Sequence, residues 1–183
     1  MIGSLLGRRR PHERAGFELY AAAVAAARDP FHYAALGVPD TLDGRFDMVG
    51  LYAFLLIDRL RREAPPGPAL AQAVFDAMFS DMDVNLREMG VGDLSVGKKV
   101  RVMWEAFHGR AAAYAAAMAG TAAPGALEAA LERNVWRGTA PADARSARLA
   151  RLMRAQRANL QEQALEVLRR GEVRFLPAEA AAR

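Results

Sequence analysis

Apolar residues recur every third or fourth position along most of this chain, in stretches separated by proline and glycine, and that period is helical. The pattern predicts a first helix over residues 11–28, with Phe17, Tyr20, Val24 and Ala27 on one face. Asp29-Pro30 ends it, because a residue before proline avoids the α region. A short turn over 31–36 and a loop over 37–44 follow. The next helix, 45–63, carries a stripe of Phe46, Val49, Ala53, Leu56 and Leu60, with Leu51, Phe54 and Leu55 off it. A helix apolar on nearly every side belongs at the centre of a bundle. A proline-rich turn at 65–68 leads to a third long helix over 69–89, whose face is Ala71, Phe75, Met78, Met82, Leu86 and Met89. After a glycine-rich loop Ser95 is the expected N-cap of a helix over 96–118, which carries Val96, Val100, Met103, Phe107, Tyr114 and Met118. A shorter helix over 126–136 and a long polar one over 141–170, ended by Gly171, complete the reading. The fold class is all-α: a single-domain helical bundle with a long C-terminal helix. Residues 1–10 form a basic N-terminal segment, 11–140 the main helical domain, and 141–183 a helix and tail packed on it.

Length and composition support one globular domain: 183 residues, 52% hydrophobic, 25% charged. Cysteine is absent, which removes disulfides, thiolate metal sites and cysteine nucleophiles. His12, His32 and His108 are far apart and match no metal spacing. The formal charge of +4 is unevenly spread. Arg8, Arg9, Arg10 and Arg14 crowd the start, and Arg145, Arg148, Arg151, Arg154 and Arg157 crowd the C-terminal helix, while residues 40–93 are acidic. Such a distribution suits polar partners and contact with an anionic membrane surface. The longest nearly apolar run, 48–57, is about half the roughly 20 residues a bilayer crossing requires. The N-terminus is too short for a signal sequence, and its charge follows its apolar residues instead of preceding them. The chain is therefore expected to stay in the cytoplasm.

Arg110 is the most informative single position, because it falls within the stripe of Phe107 and Tyr114. A guanidinium on a buried face requires a carboxylate. The acids of residues 76–83 flank the neighbouring stripe and are its expected partners, either as a structural ion pair fixing helix register or as a pair lining a partner groove. Asp76, Asp81, Asp83 and Glu88 superficially resemble acid-rich magnesium motifs. Asp76 and Asp83 share a face, however, whereas Asp81 and Glu88 lie about 140° away, so the oxygens do not converge. Lys98 and Lys99 are the only lysines and stand beside a helix start, where they are either solvated or available to an anion. The Met-rich faces are core by default, with adaptable sulfur available to a groove. The arginines of the C-terminal helix step by three and wind around it, which fits an exposed helix better than a nucleic-acid stripe. No catalytic motif and no cofactor signature is present.

Four stretches and a shorter fifth match a known family in order: residues 37–48 (GVPDTLDGRFDM), 73–83 (AVFDAMFSDMD), 86–99 (LREMGVGDLSVGKK), 106–114 (AFHGRAAAY) and 133–136 (RNVW). On them the chain resembles the ubiquinol–cytochrome c chaperone family over about residues 17–136, and only weakly beyond 141. The resemblance implies a non-enzymatic assembly factor that binds newly made cytochrome b, the polytopic haem-carrying subunit, for assembly into the respiratory cytochrome bc1 complex. It implies no cofactor, and it implies work at the inner face of the cytoplasmic membrane, with a small partner chaperone or the ribosome as further partners. Expected partner-binding residues are Asp40, Arg45, Asp47, Asp76, Asp81, Asp83, Glu88, Lys98, Lys99 and Arg110. They are expected around a groove with an acidic rim and a Met- and aromatic-rich floor, suited to the basic ends of cytochrome b. A general helical adaptor or ribosome-associated module is the alternative, and an enzyme using the acidic cluster is a third class.

Overall fold

In the computed structural model, which describes residues 12–139 and 143–183, the chain is helical and, among the described residues, free of strands. The long helices are α1 (Glu13–Ala27), α3 (Leu42–Arg61), α4 (Gly67–Glu88), α5 (Asp93–Ala117), α6 (Ala126–Val135) and α7 (Arg145–Gln161). Short helices α2 (Pro30–Ala34), α8 (Leu165–Arg169) and α9 (Ala178–Ala181) fill the connections. Residues 31–36, read as a turn, hold most of α2, whose Asp29 side chain accepts from the Phe31 N–H at 2.9 Å as an N-cap.

The all-round apolar pattern of α3 has the predicted consequence: Leu51, Tyr52, Ala53, Leu55, Leu56 and Leu60 are sealed from solvent, and α1, α4, α5, α6 and α7 all pack on it. α1 and α4 meet most closely. Gly16 permits it, since a Cβ there would stand 2.6 Å from the carbonyl carbon of Ala73. That close approach rotates α1 relative to its expected face, burying Ala15, Leu19, Tyr20 and Ala23 and leaving Phe17 exposed. Met89, expected in the α4 core, is likewise exposed.

Three further expectations are corrected. Ser95 is not an N-cap: α5 begins earlier, at Asp93, with Gly92 before it, and Asp93 pairs with Arg87. The C-terminal helix does not run unbroken to residue 170. It stops at Gln161, where Arg59 of α3 donates from Nε to the Leu160 carbonyl at 2.9 Å and from Nη2 to the Gln163 carbonyl at 3.1 Å. Arg59 thus caps carbonyls at the helix end, where the Leu160 carbonyl also accepts from the Gln163 N–H at 3.3 Å. α7 is also not a mainly exposed helix, since Leu149, Ala150, Leu152, Met153 and Leu160 are buried.

The winding arginines of α7 instead tie it in several directions. Arg148 lies over the Phe31 ring, Arg154 pairs with Glu128 at 3.0 Å, and Arg157 donates to the Met118 carbonyl at 2.8 Å. A row of amides on α7 and just past its end grips the returning tail. Gln156 is fully buried, donates to the Leu176 carbonyl at 2.8 Å and accepts from its N–H at 2.9 Å. Gln163 repeats both bonds with Arg174, and Asn159 adds a third to the Arg174 carbonyl. The basic N-terminal segment predicted over residues 1–10 lies outside the described residues. Among the described residues no helix is long and apolar enough to cross a membrane.

Candidate functional site

The loop before α3 is built to hold that helix's first turn in place. Thr41 Oγ1 accepts from the Gly44 N–H at 3.1 Å, capping the helix. Gly44 carries no Cβ because the Pro39 carbonyl occupies that space. Gly37 adopts a left-handed φ of 64°, and its carbonyl accepts from Trp136 Nε1 at 3.1 Å. Asp40 and Arg45 pair across this turn at 2.6 Å, with both side chains more than half exposed. One turn into α3, Asp47 is buried at 1% exposure. Arg110 of α5 reaches its Oδ1 at 2.8 Å, and Arg137, just past α6, reaches its Oδ2 at 3.0 Å.

Arg110 therefore has the buried carboxylate its position demanded, but the partner is Asp47 of α3 and not an acid of residues 76–83. The sequence showed the need without showing which of two neighbouring helices would meet it. Three elements converge on this one carboxylate, and the Arg110 guanidinium also lies 5.6 Å from the Phe46 ring centre. Burial pushes the Asp47 carboxyl up to about 6, against the opposing pull of Arg110 and then Arg137.

Above this triad opens a groove of about 790 Å³ between α1, the start of α3, the end of α4 and the first half of α5. Its apolar lining includes Val24, Leu42, Phe46, Val49 and Val102, and Met82, Met89 and Met103 add thioethers. Leu42, Met89 and Val102 remain more than half exposed at its edge. The methionine- and aromatic-lined floor is as expected. The acidic rim is not. Arg28, Arg45, Lys98, Lys99, Arg110 and Arg137 line the groove, against Asp43 and Asp81 alone. Asp81 accepts from the Tyr20 hydroxyl at 2.7 Å, a tie between α4 and α1; burial, and then this bond, raise the phenol far above its usual range.

Of the ten expected partner-binding residues, Arg45, Asp81, Lys98, Lys99 and Arg110 line the groove, and Asp47 lies beneath it holding Arg110. Asp40 borders it through Arg45. Asp76, which accepts from Gln72 at 2.8 Å, and Asp83, paired with Arg87 at 2.6 Å, do not line it, and neither does Glu88. The acidic helix turns its remaining carboxylates elsewhere because Met82, Leu86 and Met89 take the groove-facing positions. Arg28, Arg137 and Leu42 were not singled out from the sequence. The signal for Leu42 was available, since an apolar residue within a capping sequence has no local reason to be there. Among the described residues no three His, Asp or Glu side chains gather in a way that holds a metal ion.

The other side of α5 shows a second surface feature. Trp104, 44% exposed, stacks on His108 at 4.0 Å between ring centres, and Phe75 meets the His108 edge at 5.4 Å. α5 is thus thinly covered: Val96, Phe107 and Tyr114 are its only buried side chains among 25 residues.

A family model described as Ubiquinol-cytochrome C chaperone matches residues 34–175, which includes the capping loop, the Asp47 triad, most of the groove and the α7 amide row. The chain belongs to the ubiquinol-cytochrome C chaperone family. The match extends well past residue 141, where the sequence resemblance was weak, so α7 lies within the family fold. A solved structure, the crystal structure of the Cbp3 homolog from Brucella abortus, is similar at 36% identity, covering 92% of each chain with a TM-score of 0.80. No curated protein gave a match. Family membership places the chain among the assembly chaperones of ubiquinol–cytochrome c reductase.

Proposed function

We propose that this chaperone binds newly made cytochrome b, holds it without catalysis, and promotes its assembly into the cytochrome bc1 complex. We place the contact at the groove between α1, α3, α4 and α5. The observation that carries this reading is the combination of a wide apolar trough with solvent-exposed Leu42, Met89 and Val102, in a chain whose family is defined by assembly of that complex. A contiguous apolar groove with exposed apolar residues at its mouth favours binding, since covering it removes apolar surface from water at a gain of roughly 25 cal/mol per Å². Cytochrome b is a polytopic membrane protein, so its segments expose apolar faces until they are packed against their final partners.

Holding such a segment needs no bond chemistry. It needs apolar contact strong enough to prevent aggregation and weak enough to release. Methionines at the groove suit this, because an unbranched thioether adapts to different helix faces. The Asp47–Arg110–Arg137 triad serves the site from below by fixing α5 against α3. Arg45, Lys98 and Lys99 stand at its edges as candidate contacts, while Asp76, Asp83 and Glu88 lie outside the groove.

The test is affinity capture from detergent-solubilised membranes of the host, with the tagged full chain as bait and cytochrome b detected by immunoblot and haem spectrum. Capture by wild type that falls severalfold in a Leu42→Asp/Val102→Asp variant supports the reading. Wild type that captures no cytochrome b, or that captures ribosomes regardless of the nascent chain, overturns it and favours a general adaptor.

A further inference from the structure

We propose that the occupant of the groove is an amphipathic helical segment with an apolar face and carboxylates along its edges. The proposal rests on the client reading above and specifies the chemistry of the client segment. It starts from charge. Lys98, Lys99 and Arg28 line the groove and form no ion pair among the described residues, and both lysines are exposed. Among the described residues Arg45 pairs with Asp40 alone, in a pair exposed on both sides and therefore easily exchanged for another carboxylate. The two groove acids keep their charge, Asp81 while accepting from the neutral Tyr20 hydroxyl and Asp43 at 3.6 Å from Arg137, but six cations line the groove against them, and even with Asp40 and Asp47 behind Arg45 and Arg110 the balance stays positive. The net charge facing an occupant is therefore positive, which favours an acidic segment over a basic one. The chain's own first ten residues, with Arg8, Arg9 and Arg10, carry the wrong sign to fill it.

Shape selects a helix over a small molecule. Small-molecule pockets bury most of their ligand. Here Leu42, Met89 and Val102 stand at the mouth with 63%, 51% and 58% of their surface in solvent, so the apolar lining continues outward along the helices. Three helices and the start of a fourth bound an open trough, the geometry in which an apolar helix face lies along a groove. The cations are carried on separate elements: Arg28 at the end of α1, Arg45 on α3, Lys98 and Lys99 on α5. That arrangement suits carboxylates spaced along a segment better than the single phosphate of a lipid headgroup.

The experiment uses the full chain and two synthetic 14-residue helical peptides with the same leucine and phenylalanine face, one edged with glutamate and the other with lysine. Binding is read by fluorescence anisotropy at low and high salt. The glutamate peptide is expected to bind at least tenfold more tightly than the lysine peptide, to lose that preference at high salt, and to lose it in Lys98→Glu/Lys99→Glu. Val102→Ser, at an exposed helical position, is expected to weaken both peptides without changing their ratio. Equal affinity for the two peptides, or a preference for lysine, overturns the proposal. So does binding of phosphatidylglycerol vesicles that depends on Lys98 and Lys99 while the glutamate peptide does not bind. Capture of cytochrome b is scored in parallel. Capture without glutamate preference overturns the groove chemistry alone. Glutamate preference without capture supports the groove chemistry and overturns the client reading alone.

Discussion

Replacing Arg110 by methionine isolates what the buried triad contributes. Methionine keeps an unbranched stem over Phe46 and removes only the guanidinium 2.8 Å from the Asp47 carboxylate. Asp47 is sealed from solvent and retains Arg137, whose side chain is half exposed, as its remaining counter-charge. Removing one partner of a buried pair costs about 3–5 kcal/mol when the charge left behind is uncompensated. Arg137 reduces this, so Arg110→Met should destabilise the chain by about 2–3 kcal/mol. With a urea dependence of about 2 kcal/mol/M, that shifts the unfolding midpoint, followed by circular dichroism, by about 1–1.5 M. The pH sign follows from the same geometry. Without Arg110 the carboxyl pKa rises further above its already raised value near 6, so protonation relieves the folded state more readily. The destabilisation should therefore be smaller at pH 5 than at pH 8. Asp47→Asn/Arg110→Met removes the stranded charge, and the double variant should be more stable than the sum of the single changes implies, by about 2 kcal/mol. An Arg110→Met variant within 0.5 kcal/mol of wild type, or strict additivity, would refute the triad as the element that fixes α5 on α3.

Other consequences are simpler to measure. The Asp47 carboxyl is raised from 3.8 to about 6 in the folded state, so the folded chain binds more protons across that interval and the group's contribution falls as pH rises through it. Relative to Asp47→Asn, wild type should lose up to about 3 kcal/mol between pH 4 and pH 7 in urea unfolding; a difference that grows with pH contradicts this. His32, whose pKa is lowered by burial, acts in the opposite direction and cancels in that comparison. Gln156→Ala leaves the N–H and carbonyl of Leu176 without their partner and opens a buried space, costing about 2 kcal/mol and releasing the tail to proteolysis; an unchanged tail cleavage rate would contradict the amide grip. Gly16→Ala forces a methyl to 2.6 Å from the Ala73 backbone and should cost about 1–3 kcal/mol in thermal unfolding, where a neutral result would mean α1 can slide.

What the sequence disclosed and what it hid divide along the range of the interactions involved. Helix existence rests on local periodicity and on breakers such as Asp29-Pro30 and the proline turn at 65–68, so the long helices could be placed from the chain alone. The central position of α3 was legible for the same reason, since nothing but burial on nearly all sides accommodates ten apolar residues in its thirteen positions from Met48 to Leu60. Arg110 was legible as a buried charge because helical geometry put it on an apolar face. Its partner was hidden because choosing between acids on α3 and α4 depends on how the helices are rotated against one another. The end of α7 was hidden in the same way: no proline or glycine stands at residues 161–164, and the cap arrives from Arg59, about a hundred positions away in the sequence. The sign of the groove was misjudged for a related reason. Counting acids along residues 40–93 ignores that Asp76 and Asp83 are engaged along their own helix by Gln72 and Arg87, while cations from α1, α5 and the end of α6 are brought together in space.

The proposed role is tested most directly by deleting the gene in its own host and measuring bc1 content from reduced-minus-oxidised haem spectra, alongside cytochrome b immunoblots. Loss of cytochrome b and its haem signal, with other respiratory complexes intact and recovery on re-expression of the wild-type chain, is the predicted result. Normal bc1 levels without the gene would contradict the account.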